Sequence, residues 1–526
     1  MKSYKIGIDV GGTNTDCVLV SKENEVIAKT KHPTTADIST GIENAMKHVL
    51  ESSTISPSEV RYVMLGTTHC TNAIVERKHL NKVGIIRICK PASQMIPPLS
   101  GFPEDLKAIL EGHVHMVKGG YEFDGRPIHA LDEVEIADVL YTMKGKVEAI
   151  AITGIFSKIN PDQEQKVAAM AREILDESVA ISMSHQIGSL GLLERENATI
   201  LNAMLHDIAI KITNSFQEVV KRNKVDAQLY FGQNDGTLMS IENARQFPVL
   251  TIACGPTNSI RGAGALSGVK NGIVIDVGGT TSDAGVLVNQ FPRESNRAAS
   301  VGGVNTNFRM PDVVAIGLGG GTIVAQEKDQ MKVGPQSVGF RITEEAFCFG
   351  GDTCTLSDYA ILNEQLSIEG TLAINAISGK LENQFKQDSH VVKQQIGEIV
   401  SKKINQLIDK VKTDNQAIPV VLVGGGSPIL PDHMEGVSEI VRPPHYEVAN
   451  AYGACIAQIG GEAERVYNLA EISREDAIEE VKGEAIKNAV TAGAKEASIE
   501  VLTINDTPLA YLPNATKVKV KVCGEL

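Results

Sequence analysis

Four aspartates stand at matching places in two copies of one short motif. Ile6–Asp16 reads Ile-Gly-Ile-Asp-Val-Gly-Gly-Thr-Asn-Thr-Asp, and Ile273–Asp283 reads Ile-Val-Ile-Asp-Val-Gly-Gly-Thr-Thr-Ser-Asp. Each copy predicts a strand that ends at an aspartate, a Gly-Gly-Thr turn, and a strand that runs back. Such a turn lets backbone amides approach phosphate oxygens, and the aspartate can hold a hydrated magnesium ion. Two copies therefore predict two similar domains that face one phosphate-bearing ligand.

The motif pair supplies the first candidate site residues. Asp9 and Asp276 end their strands, so we expect them to bind magnesium through its water ligands. Asp16 and Asp283 are candidates for bases or orienting groups, and hydrogen bonding to the amides of their own hairpins is the alternative. All four are treated as catalytic candidates. The candidate phosphate-binding residues are Gly11, Gly12, Thr13 and Asn14 in the first turn, and Gly278, Gly279, Thr280 and Thr281 in the second.

Two further glycine clusters are candidates for nucleotide binding. One follows the apolar segment 419–423, where a turn without side chains would leave a slot for adenine and ribose; an ordinary strand-to-helix turn is the alternative. Beyond it, residues 448–459 carry small side chains that would let two helices cross closely. The candidates in the two clusters are Gly424, Gly425, Gly426 and Ser427, and Gly319, Gly320 and Gly321.

The elements that must position these residues follow an α/β pattern. Apolar runs rich in Ile and Val alternate with segments of helical period, and 526 residues exceed the size of one ordinary core. Two large domains are therefore expected, at residues 1–185 and 186–465, with a small α/β segment at 466–526. In that last segment, Lys517–Val522 alternates in polarity and predicts an edge strand. The predicted helices are 38–50, 161–175, 191–220 and 391–411.

Composition and charge argue against several classes of function. Acidic residues outnumber basic ones, 64 to 50, and the net charge of −14 argues against nucleic-acid and anionic-membrane partners. The chain has no Trp and only 4% aromatic residues, which leaves little for stacking on bases. The sequence shows no leader-like start, no apolar run near 18 residues and no tight cysteine spacing among its eight cysteines. We therefore expect a cytoplasmic protein with reduced cysteines.

The order of these motifs resembles a known superfamily. Two phosphate turns, an adenosine turn and a small-residue helix follow one another as in the actin/sugar-kinase/Hsp70 ATPases, in which ATP lies between two domains of ribonuclease-H-like topology. Seven segments are more specific and resemble the A-type, ATP-binding subunits of the hydantoinase/oxoprolinase family. The resemblance implies two family domains in this chain, each with one phosphate turn. These segments are 11–16, 66–78, 194–203, 255–264, 276–283, 317–322 and 333–337.

The resemblance implies ATP- and magnesium-dependent hydrolysis of a small cyclic amide, such as 5-oxoproline, a hydantoin or a related lactam. The γ-phosphoryl group would pass to the ring carbonyl oxygen, and water would then attack the activated carbon. Gene-fused relatives carry a second subunit beyond the A-type region, so the resemblance also implies a separate B-type partner, and a homo-oligomer stays open. An ATP-dependent ketone carboxylase subunit, a small-molecule kinase and a non-catalytic nucleotide-switch subunit remain alternatives.

The segment 66–78 supplies the candidate substrate residues. Its hydroxyl and amide groups would line the cleft and bind a polar ring, whereas a capped helix with surface charges is the alternative. The chain departs from the family at Leu65 and Val314, where relatives often carry histidine, so substrate or metal contacts at those positions are not carried over. The substrate candidates are Thr67, Thr68, Asn72, Glu76 and Arg77.

Other chemically active side chains in the sequence lack supporting groups. His113 and His115 lie two apart in a predicted strand and point to one face, but the sequence offers no third metal ligand. His69 stands next to Cys70, and no triad spacing accompanies the pair. We therefore expect these four residues to be structural.

Overall fold

A computed structural model describes most of the chain. It covers residues 3–12, 14–34, 38–110, 112–295, 299–308, 310–328, 330–510 and 512–526. One phosphate-binding candidate, Thr13, lies outside these described residues. None of the helices described is both long and apolar enough to cross a bilayer.

The first part of the chain alternates strands with helices, as its pattern of apolar runs and helical periods predicts. The strands are rich in β-branched residues, which pack well on a pleated sheet. The elements are β1 (Tyr4–Val10), β2 (Asn14–Val20), β3 (Val26–Pro33), α1 (Ile38–Ser52), β4 (Val60–Thr67), α2 (His69–Glu76), β5 (Val83–Lys90), α3 (Glu104–Leu110), β6 (Val114–Lys118), α4 (Glu133–Met143), β7 (Ala149–Gly154), α5 (Asp162–Ile174), β8 (Ala180–Met183), α6 (Leu192–Met204) and α7 (His206–Arg222).

The second part begins with a strand pair and carries the second copy of the motif on its third and fourth strands. Its elements are β9 (Gln228–Gly232), β10 (Thr237–Ser240), α8 (Ile241–Gln246), α9 (Cys254–Ser267), β11 (Gly272–Val277), β12 (Ser282–Val288), β13 (Phe291–Pro292), β14 (Ala299–Val301), β15 (Val304–Thr306), β16 (Val313–Ile316), β17 (Thr322–Glu327), β18 (Gln330–Ser337), α10 (Ile342–Glu345), α11 (Leu356–Leu362), α12 (Ile374–Phe385), α13 (Ser389–Val411), β19 (Ile418–Val423), β20 (Val437–Val441), α14 (Ala449–Ile456), β21 (Gln458–Asn468), α15 (Arg474–Thr491), β22 (Glu500–Pro508) and β23 (Ala515–Gly524).

Two sheets repeat the same strand order. In the first, β3-β2-β1-β4-β9 are neighbours, with β1 antiparallel to β2 and parallel to β4, and β4 parallel to β9. In the second, β16-β12-β11-β19-β20 are neighbours, with β11 antiparallel to β12 and parallel to β19, and β19 parallel to β20. The shared order and directions confirm the predicted pair of ribonuclease-H-like domains.

Further strands extend the first sheet beyond this repeated order. Over the described residues it continues from β9 through β10, β21 and β23 to β22. β23 therefore lies between two strands and β22 forms the edge, so the prediction of an edge strand at Lys517–Val522 is wrong. Alternating polarity shows that a strand has two different faces, but it does not show whether both of its edges are paired.

Separate cores hold the two sheets. The first sheet packs against α1, α6 and α7 through residues such as Ile8, Ile42 and Phe216. The second sheet packs against α12 and α13 through residues such as Leu422 and Ile404. Strands β6-β5-β7-β8 form a smaller parallel sheet with a core of its own, and α15 covers β21 and β23. Strands on both sides of residues 185 and 465 share the first sheet, and the three-domain division stays a prediction.

The predicted helices are found with small changes at their ends. Helix α1 confirms the prediction at 38–50, and α13 confirms that at 391–411. The segment predicted at 161–175 begins at Asp162, where the side chain of Asn160 accepts a hydrogen bond from the Asp162 N–H at 3.1 Å. The prediction of one helix over 191–220 is wrong, because Leu205 separates α6 from α7.

Candidate functional site

Both copies of the motif fold into the same hairpin. β1 pairs with β2 so that Asp9 lies opposite Asp16, and β11 pairs with β12 so that Asp276 lies opposite Asp283. Because β1 runs parallel to β4, and β11 to β19, each first aspartate stands at the carboxyl edge of its sheet. The structure thus brings the four candidate carboxylates to the two hairpins as equivalent pairs.

Each hairpin closes with one backbone hydrogen bond. The Gly11 N–H donates to the Asn14 carbonyl at 3.0 Å, and the Gly278 N–H donates to the Thr281 carbonyl at 2.9 Å. The hydroxyl of Thr34 also donates to the Gly11 carbonyl at 2.8 Å, which fixes the first turn against the end of β3. Each of these bonds joins residues three apart, as in a tight turn of four residues.

The hairpins line one cavity of about 180 Å³. This volume is smaller than the roughly 300–1,000 Å³ of most small-molecule sites, so it corresponds to only part of a nucleotide-sized site. A cavity of about 780 Å³ lies elsewhere, but it contains none of the paired aspartates. The smaller cavity is lined by Gly11, Gly12, Asn14, Asp16, Lys31, Asp276, Val277, Gly278, Gly279, Thr280, Thr281, Gly424, Gly425, Glu447, Ala449 and Asn450.

Asp9 is the most enclosed of the candidate metal ligands. Its side chain is 4% exposed, and its Oδ2 accepts a hydrogen bond from Asn450 Nδ2 at 3.0 Å. Its Oδ1 is buried and has no hydrogen-bond partner among the described residues. Burial, and then the nearby charges of Asp16 and Asp276, raise the pKa of Asp9 to about 7. A cation beside this carboxylate would lower the free energy of its charged form.

A glycine on the neighbouring strand makes room for Asp9. Gly66 pairs with Asp9 across β1 and β4, and a Cβ at Gly66 would lie 2.4 Å from Asp9 Oδ1 and 2.6 Å from Asn258 Nδ2. Both polar atoms of the Asn258 amide are buried without a partner among the described residues. Unpartnered polar atoms thus gather on this side of Asp9, as expected where a hydrated cation binds.

Asp276 and Asp283 stand in a different setting. The hydroxyl of Ser259 on α9 donates to Asp276 Oδ2. Burial raises the pKa of Asp276, while the Ser259 bond and the charge of Lys31 oppose that rise. Burial and the charge of Asp276 raise the pKa of Asp283 to about 7. Asp283 therefore titrates near neutral pH, which suits a group that accepts or releases a proton.

Lys31 is a functional candidate that sequence reasoning missed. It lies on β3 directly opposite Asp16, and its Nζ contacts the two carboxylate oxygens of Asp16 at 2.6 and 2.8 Å. It lines the cleft, and its charge favours the ionised forms of Asp9 and Asp276. The only advance signal was its register: in a hairpin with known pairing, residue 31 falls opposite residue 16.

Helix α14 brings a second missed residue, Asn450, to Asp9. The helix crosses α9 closely, because a Cβ at Gly262 would lie 1.9 Å from the Ala449 carbonyl oxygen and one at Gly453 would lie 1.9 Å from the Asn258 carbonyl oxygen. This confirms the predicted close crossing by the small-residue segment, although the helix ends at Ile456 and the strand β21 follows. The crossing sets α9 and α14 against the cleft.

The cluster Gly319–Gly321 packs behind the second turn. The N–H of Gly320 donates to the Gly278 carbonyl at 3.0 Å, and that of Gly321 donates to the Gly279 carbonyl at 2.7 Å. A Cβ at Gly319 would lie 2.7 Å from the backbone of Gly279 and Thr280. These amides are therefore used inside the protein, and the cluster supports the turn instead of lining the cleft.

The cluster Gly424–Ser427 contributes two residues to the cleft. Gly424 and Gly425 line it, whereas Gly426 and Ser427 are buried and the Gly426 N–H donates to the Val277 carbonyl at 2.8 Å. Gly424 has φ +85°, and a Cβ there would lie 2.2 Å from Asp276 Oδ1. The glycine is thus required by its conformation and by its close approach to Asp276.

Two of the substrate candidates lie beside the first turn. Thr68 donates from its N–H and its hydroxyl to the Val10 carbonyl, at 3.4 and 3.3 Å. Thr67 is buried, with its Oγ1 2.6 Å from His69 Nδ1 and its N–H 3.4 Å from Cys254 Sγ. Thr68 is therefore the candidate with access to the region next to the phosphate turn.

Of the other substrate candidates, Glu76 and Arg77 are engaged away from the first turn, and Asn72 lies beside Thr68. Arg77 ends α2 and donates to Asp105 Oδ2 and to the Gly302 carbonyl, both at 2.8 Å. Glu76 forms an ion pair with Lys78 at 3.0 Å. Asn72 is exposed and its amide lies 3.5 Å from the Thr68 hydroxyl. Since α2 is eight residues long, its two ends are separated by roughly 10 Å, and the five candidates do not converge on one point.

The remaining histidine and cysteine candidates lie outside the cavity. Burial lowers the pKa of His69 and raises that of Cys70 to about 11, so Cys70 is not a ready nucleophile at neutral pH. His115 lies on β6 with its Nε2 buried, and the His113 carbonyl accepts the Ile85 N–H at 2.7 Å. Across the described residues, no group of three or more His, Cys, Asp or Glu side chains is arranged to hold a metal.

The donor set at the cleft nonetheless suits magnesium. Magnesium prefers carboxylate oxygens, keeps several water ligands and takes further oxygens from bound phosphates. Asp9 and Asp276 supply two carboxylates with raised pKa values, and Asp9 Oδ1 is unpartnered. These two residues would hold the ion, and its charge would offset their mutual repulsion.

Comparison with known proteins links this site to a family. The family profile of the hydantoinase/oxoprolinase N-terminal region matches residues 5–175, and that of hydantoinase/oxoprolinase matches residues 195–463. The two matches contain the first and the second hairpin, respectively.

Three relatives illustrate the range of sequence similarity. An uncharacterized protein of Methanocaldococcus jannaschii is 25% identical, over 99% of this chain and 82% of its own length. The caprolactamase subunit alpha of Pseudomonas jessenii is 25% identical, over 72% of this chain and 58% of its own. The 5-oxoprolinase of Saccharomyces cerevisiae is 24% identical, over 66% of this chain and 31% of its own. The chain thus spans less than two thirds of the length of the two of these relatives that have a named activity.

Two solved structures share the fold. The ATP-dependent caprolactamase from Pseudomonas jessenii aligns with a TM-score of 0.77 and 18% identity, covering 99% of this chain and 88% of that one. Nucleotide-free acetone carboxylase aligns with a TM-score of 0.72 and 16% identity, covering all of this chain and 88% of that one.

Proposed function

The chain belongs to the hydantoinase/oxoprolinase family, and we propose that it hydrolyses a small cyclic amide, such as 5-oxoproline, a hydantoin or a related lactam, with ATP and magnesium. The observation that supports this most is the pair of equivalent aspartate hairpins lining one cleft. That arrangement presents turn amides and carboxylates to a polyphosphate from both sides. Relatives named as a caprolactamase subunit and a 5-oxoprolinase support the substrate class.

The chemistry explains why an ATP site would serve amide hydrolysis. Amide resonance makes the ring carbonyl a poor electrophile, and its oxygen is not a leaving group. Transfer of the γ-phosphoryl group to that oxygen breaks the amide resonance, so that water adds to the ring carbon. The C–N bond then breaks, the ring nitrogen leaves as the amine, and a second water releases phosphate from the acyl phosphate that remains. Phosphoryl transfer depends mainly on positioning and on neutralising charge, which glycine-rich turns and fixed charges supply.

We assign roles to the chain's own groups on that basis. Asp9 and Asp276 would hold magnesium, which when bound neutralises phosphate charge. The amides of Gly11, Gly12, Gly278 and Gly279 would position the phosphates. Lys31 would neutralise charge from the side of β3, and it holds Asp16 in place.

Asp283 is the candidate for moving a proton. Its pKa is raised to about 7, so it can exchange a proton near neutral pH. Thr68, beside the first turn, is the substrate candidate that we retain. Asn72, Glu76 and Arg77 would act only through the structure of α2 and its surroundings.

A partner subunit and an intracellular setting complete the proposal. One relative is named as subunit alpha, which supports a separate partner chain. The eight cysteines are buried and unpaired, which suits the reducing cytoplasm.

Ketone carboxylation is the second candidate function. The fold shared with acetone carboxylase favours it, because that enzyme is also ATP-dependent. Both reactions would use the same nucleotide cleft, and they differ in the organic product: a ring-opened acid in one and a carboxylated ketone in the other.

The test follows phosphate and organic product together. The purified chain is incubated with ATP, magnesium and a panel of cyclic amides and ketones, with bicarbonate present in parallel reactions. We expect phosphate release stimulated by a cyclic amide, with ring-opened acid in equal amount. A stable phosphorylated product would indicate a kinase instead, and bicarbonate-dependent product from a ketone would indicate the carboxylase. ATP binding without stimulation by any compound would point to a nucleotide-switch subunit.

A further inference from the structure

The cavity of about 780 Å³ is separate from the nucleotide cleft. It shares no lining residue with the cleft and lies between β21, the loop after β9 and the segments that follow β7 and β8. Its volume falls within the range of small-molecule sites. It is therefore large enough for a ligand of several carbon atoms.

One side of the cavity carries a lysine without a fixed partner. Lys158 is partly buried, and its amine makes no hydrogen bond or ion pair with any described residue. Burial lowers the pKa of this amine, while the charges of Glu464 and Glu462 oppose the change. A ligand carboxylate beside the amine would restore the interactions that burial removes.

Next to Lys158, a histidine and an asparagine offer further polar groups. His185 Nδ1 lies 2.6 Å from the buried carboxylate of Glu164, which orients the ring at the cavity wall. Asn234 is 3% exposed, and its amide nitrogen has no hydrogen-bond partner among the residues the structure describes. A buried donor without a partner is uncommon and indicates a missing ligand or water.

Another part of the cavity wall is acidic and lies near enough to act on the charge of Lys158. Glu462 and Glu464 lie two apart on β21 and therefore share one face of the strand. Glu464 is 4% exposed, accepts hydrogen bonds from the Ser189 hydroxyl at 2.8 and 2.9 Å, and lies 3.7 Å from Lys517. A carboxylate has about four acceptor positions, so these contacts leave capacity for a further donor.

The balance of charge selects the class of ligand. The lining includes three basic side chains, Lys158, Arg465 and Lys519, against four acidic ones, Asp235, Glu462, Glu464 and Glu484. Most of these side chains are already paired, Arg465 with Glu484, Lys519 with Glu462 and Asp235 with Lys521. A simple anion would therefore still face the charge of Glu464, and a simple cation would leave Lys158 unpaired. A molecule with a carboxylate at one end and an ammonium group at the other matches both sides.

We propose that this cavity binds a small zwitterionic amino acid, with its carboxylate at Lys158 and its ammonium group at Glu464. Ring opening of a cyclic amide produces molecules of this class, so the site would hold a product of the reaction. The choice of probes rests on the proposed function, whereas the charge match of the cavity does not.

Binding is measured by calorimetry on the full chain without ATP. The probes are 6-aminohexanoate and glutamate, the ring-opened forms of caprolactam and 5-oxoproline, with hexanoate and hexylamine as singly charged controls. We expect one of the zwitterions to bind, and both controls to bind at least about tenfold more weakly. Equal binding of a control, or no zwitterion binding at about 10 mM, overturns the proposal.

Variants locate the bound molecule. Lys158→Met removes no hydrogen bond or ion pair to a described residue and keeps most of the apolar side chain, so it should fold normally and weaken binding about tenfold or more. Glu464→Gln keeps the acceptor for Ser189 and should weaken binding similarly. Lys166→Met, at a lysine that pairs with Glu133 on the surface, is the matched control and should bind as the unmodified chain does. Unchanged binding in Lys158→Met refutes the site.

The outcome is independent of the test of the proposed function. Zwitterion binding without ATP-dependent ring opening would support the cavity as an amino-acid site and remove its link to a product. Ring opening without zwitterion binding would support the proposed function and overturn the amino-acid site.

Discussion

The two hairpins share strand register and turn geometry, yet their aspartates have different neighbours. In the first, Asp16 is paired with Lys31 and Asp9 is bonded to Asn450. In the second, Asp276 accepts a hydrogen bond from the Ser259 hydroxyl, and among the described residues no lysine forms an ion pair with Asp283. The repeat therefore fixes the positions of the carboxylates, and single side chains from other elements determine the hydrogen bonds and ion pairs that each one makes.

The comparison teaches that equivalent backbone positions need not have equivalent roles. A carboxylate held by a lysine is fixed in its orientation, as a binding group should be. A carboxylate whose pKa is raised by burial and a like charge exchanges its proton near pH 7. Asp9 also has a pKa of about 7, but the magnesium ion that it would hold would keep it ionised. We therefore infer that the first hairpin mainly binds and that Asp283 of the second is the proton-transfer group.

The largest effect is expected from removing the strand-end carboxylates. Asp9→Asn and Asp276→Asn each remove a magnesium-directing charge with little change in shape. We expect ATP turnover to fall about 100-fold for Asp9→Asn and at least about tenfold for Asp276→Asn. Thermal melting should be unchanged or raised, because each substitution relieves repulsion between carboxylates. Undiminished turnover in either variant would refute its assignment.

Replacing Lys31 tests the asymmetry between the hairpins. Lys31→Met leaves Asp16, which is 2% exposed, without its ion pair, so we expect turnover to fall about tenfold and the protein to lose about 1–3 kcal/mol of stability. Adding Asp16→Asn should restore stability without restoring turnover. Both quantities are measured in steady-state assays and urea titrations.

The control for this experiment lies on the same strand. Lys29 is two residues away on β3 and pairs with Glu447 at the surface of the cleft. Lys29→Met should change turnover less than about twofold, since exposed ion pairs contribute little. Equal losses in the two lysine variants would mean that general positive charge, and not the contact with Asp16, is what the cleft requires.

A glycine in each half separates ligand contact from folding. A Cβ at Gly12 would meet nothing within 4 Å, so Gly12→Ala should melt normally and weaken ATP binding about tenfold by crowding the phosphates. A Cβ at Gly424 would lie 2.2 Å from Asp276 Oδ1, so Gly424→Ala should lower the melting temperature. Calorimetric titration with ATP and thermal melts distinguish the two. Normal ATP affinity in Gly12→Ala would show that the first turn does not touch the phosphates.

The sequence predicted the parts of this site that are local. The four aspartates and the glycines of the two turns lie within an eleven-residue motif that occurs twice, so the repeat identified them. The same repeat predicted the two domains. Lys31, Asn450 and Ser259 reach the same cleft from β3, α14 and α9, and no motif marks them. Their roles depend on pairing register and on a helix crossing, which spacing along the chain does not encode.

The errors in the fold have a similar origin. The break between α6 and α7 falls at Leu205, where the sequence has no glycine or proline to mark it. Periodicity alone therefore predicted one continuous helix. β23 pairs with β22, the strand before it, and also with β21, which lies on the other side of α15 in the chain. Alternating polarity within β23 indicates neither pairing. The cluster Gly319–Gly321 was expected at the nucleotide because it lies in a segment that resembles the family. Its glycines instead allow close packing against the second turn.

The smallest effect is expected in the dependence of stability on pH. Asp9 and Asp283 each have a pKa of about 7 in the folded protein, against an ordinary aspartate value of 3.8. The folded state therefore holds protons that the unfolded chain releases, so stability should fall as pH rises from about 4 to about 7 and level off above it. Magnesium should flatten this fall, because it stabilises the charged carboxylates.

Melting temperatures at pH 5 and pH 8, with and without magnesium, test this difference between the hairpins. We expect a drop of about 2–4 °C without the ion and a smaller drop in Asp283→Asn. Asp352→Asn, at a fully exposed aspartate, should behave as the unmodified chain does. If Asp283→Asn leaves the drop unchanged, its carboxyl group is already ionised at pH 5. The carboxylates of the second hairpin would then serve as binding groups, as those of the first do. The proton-transfer group would have to be another residue.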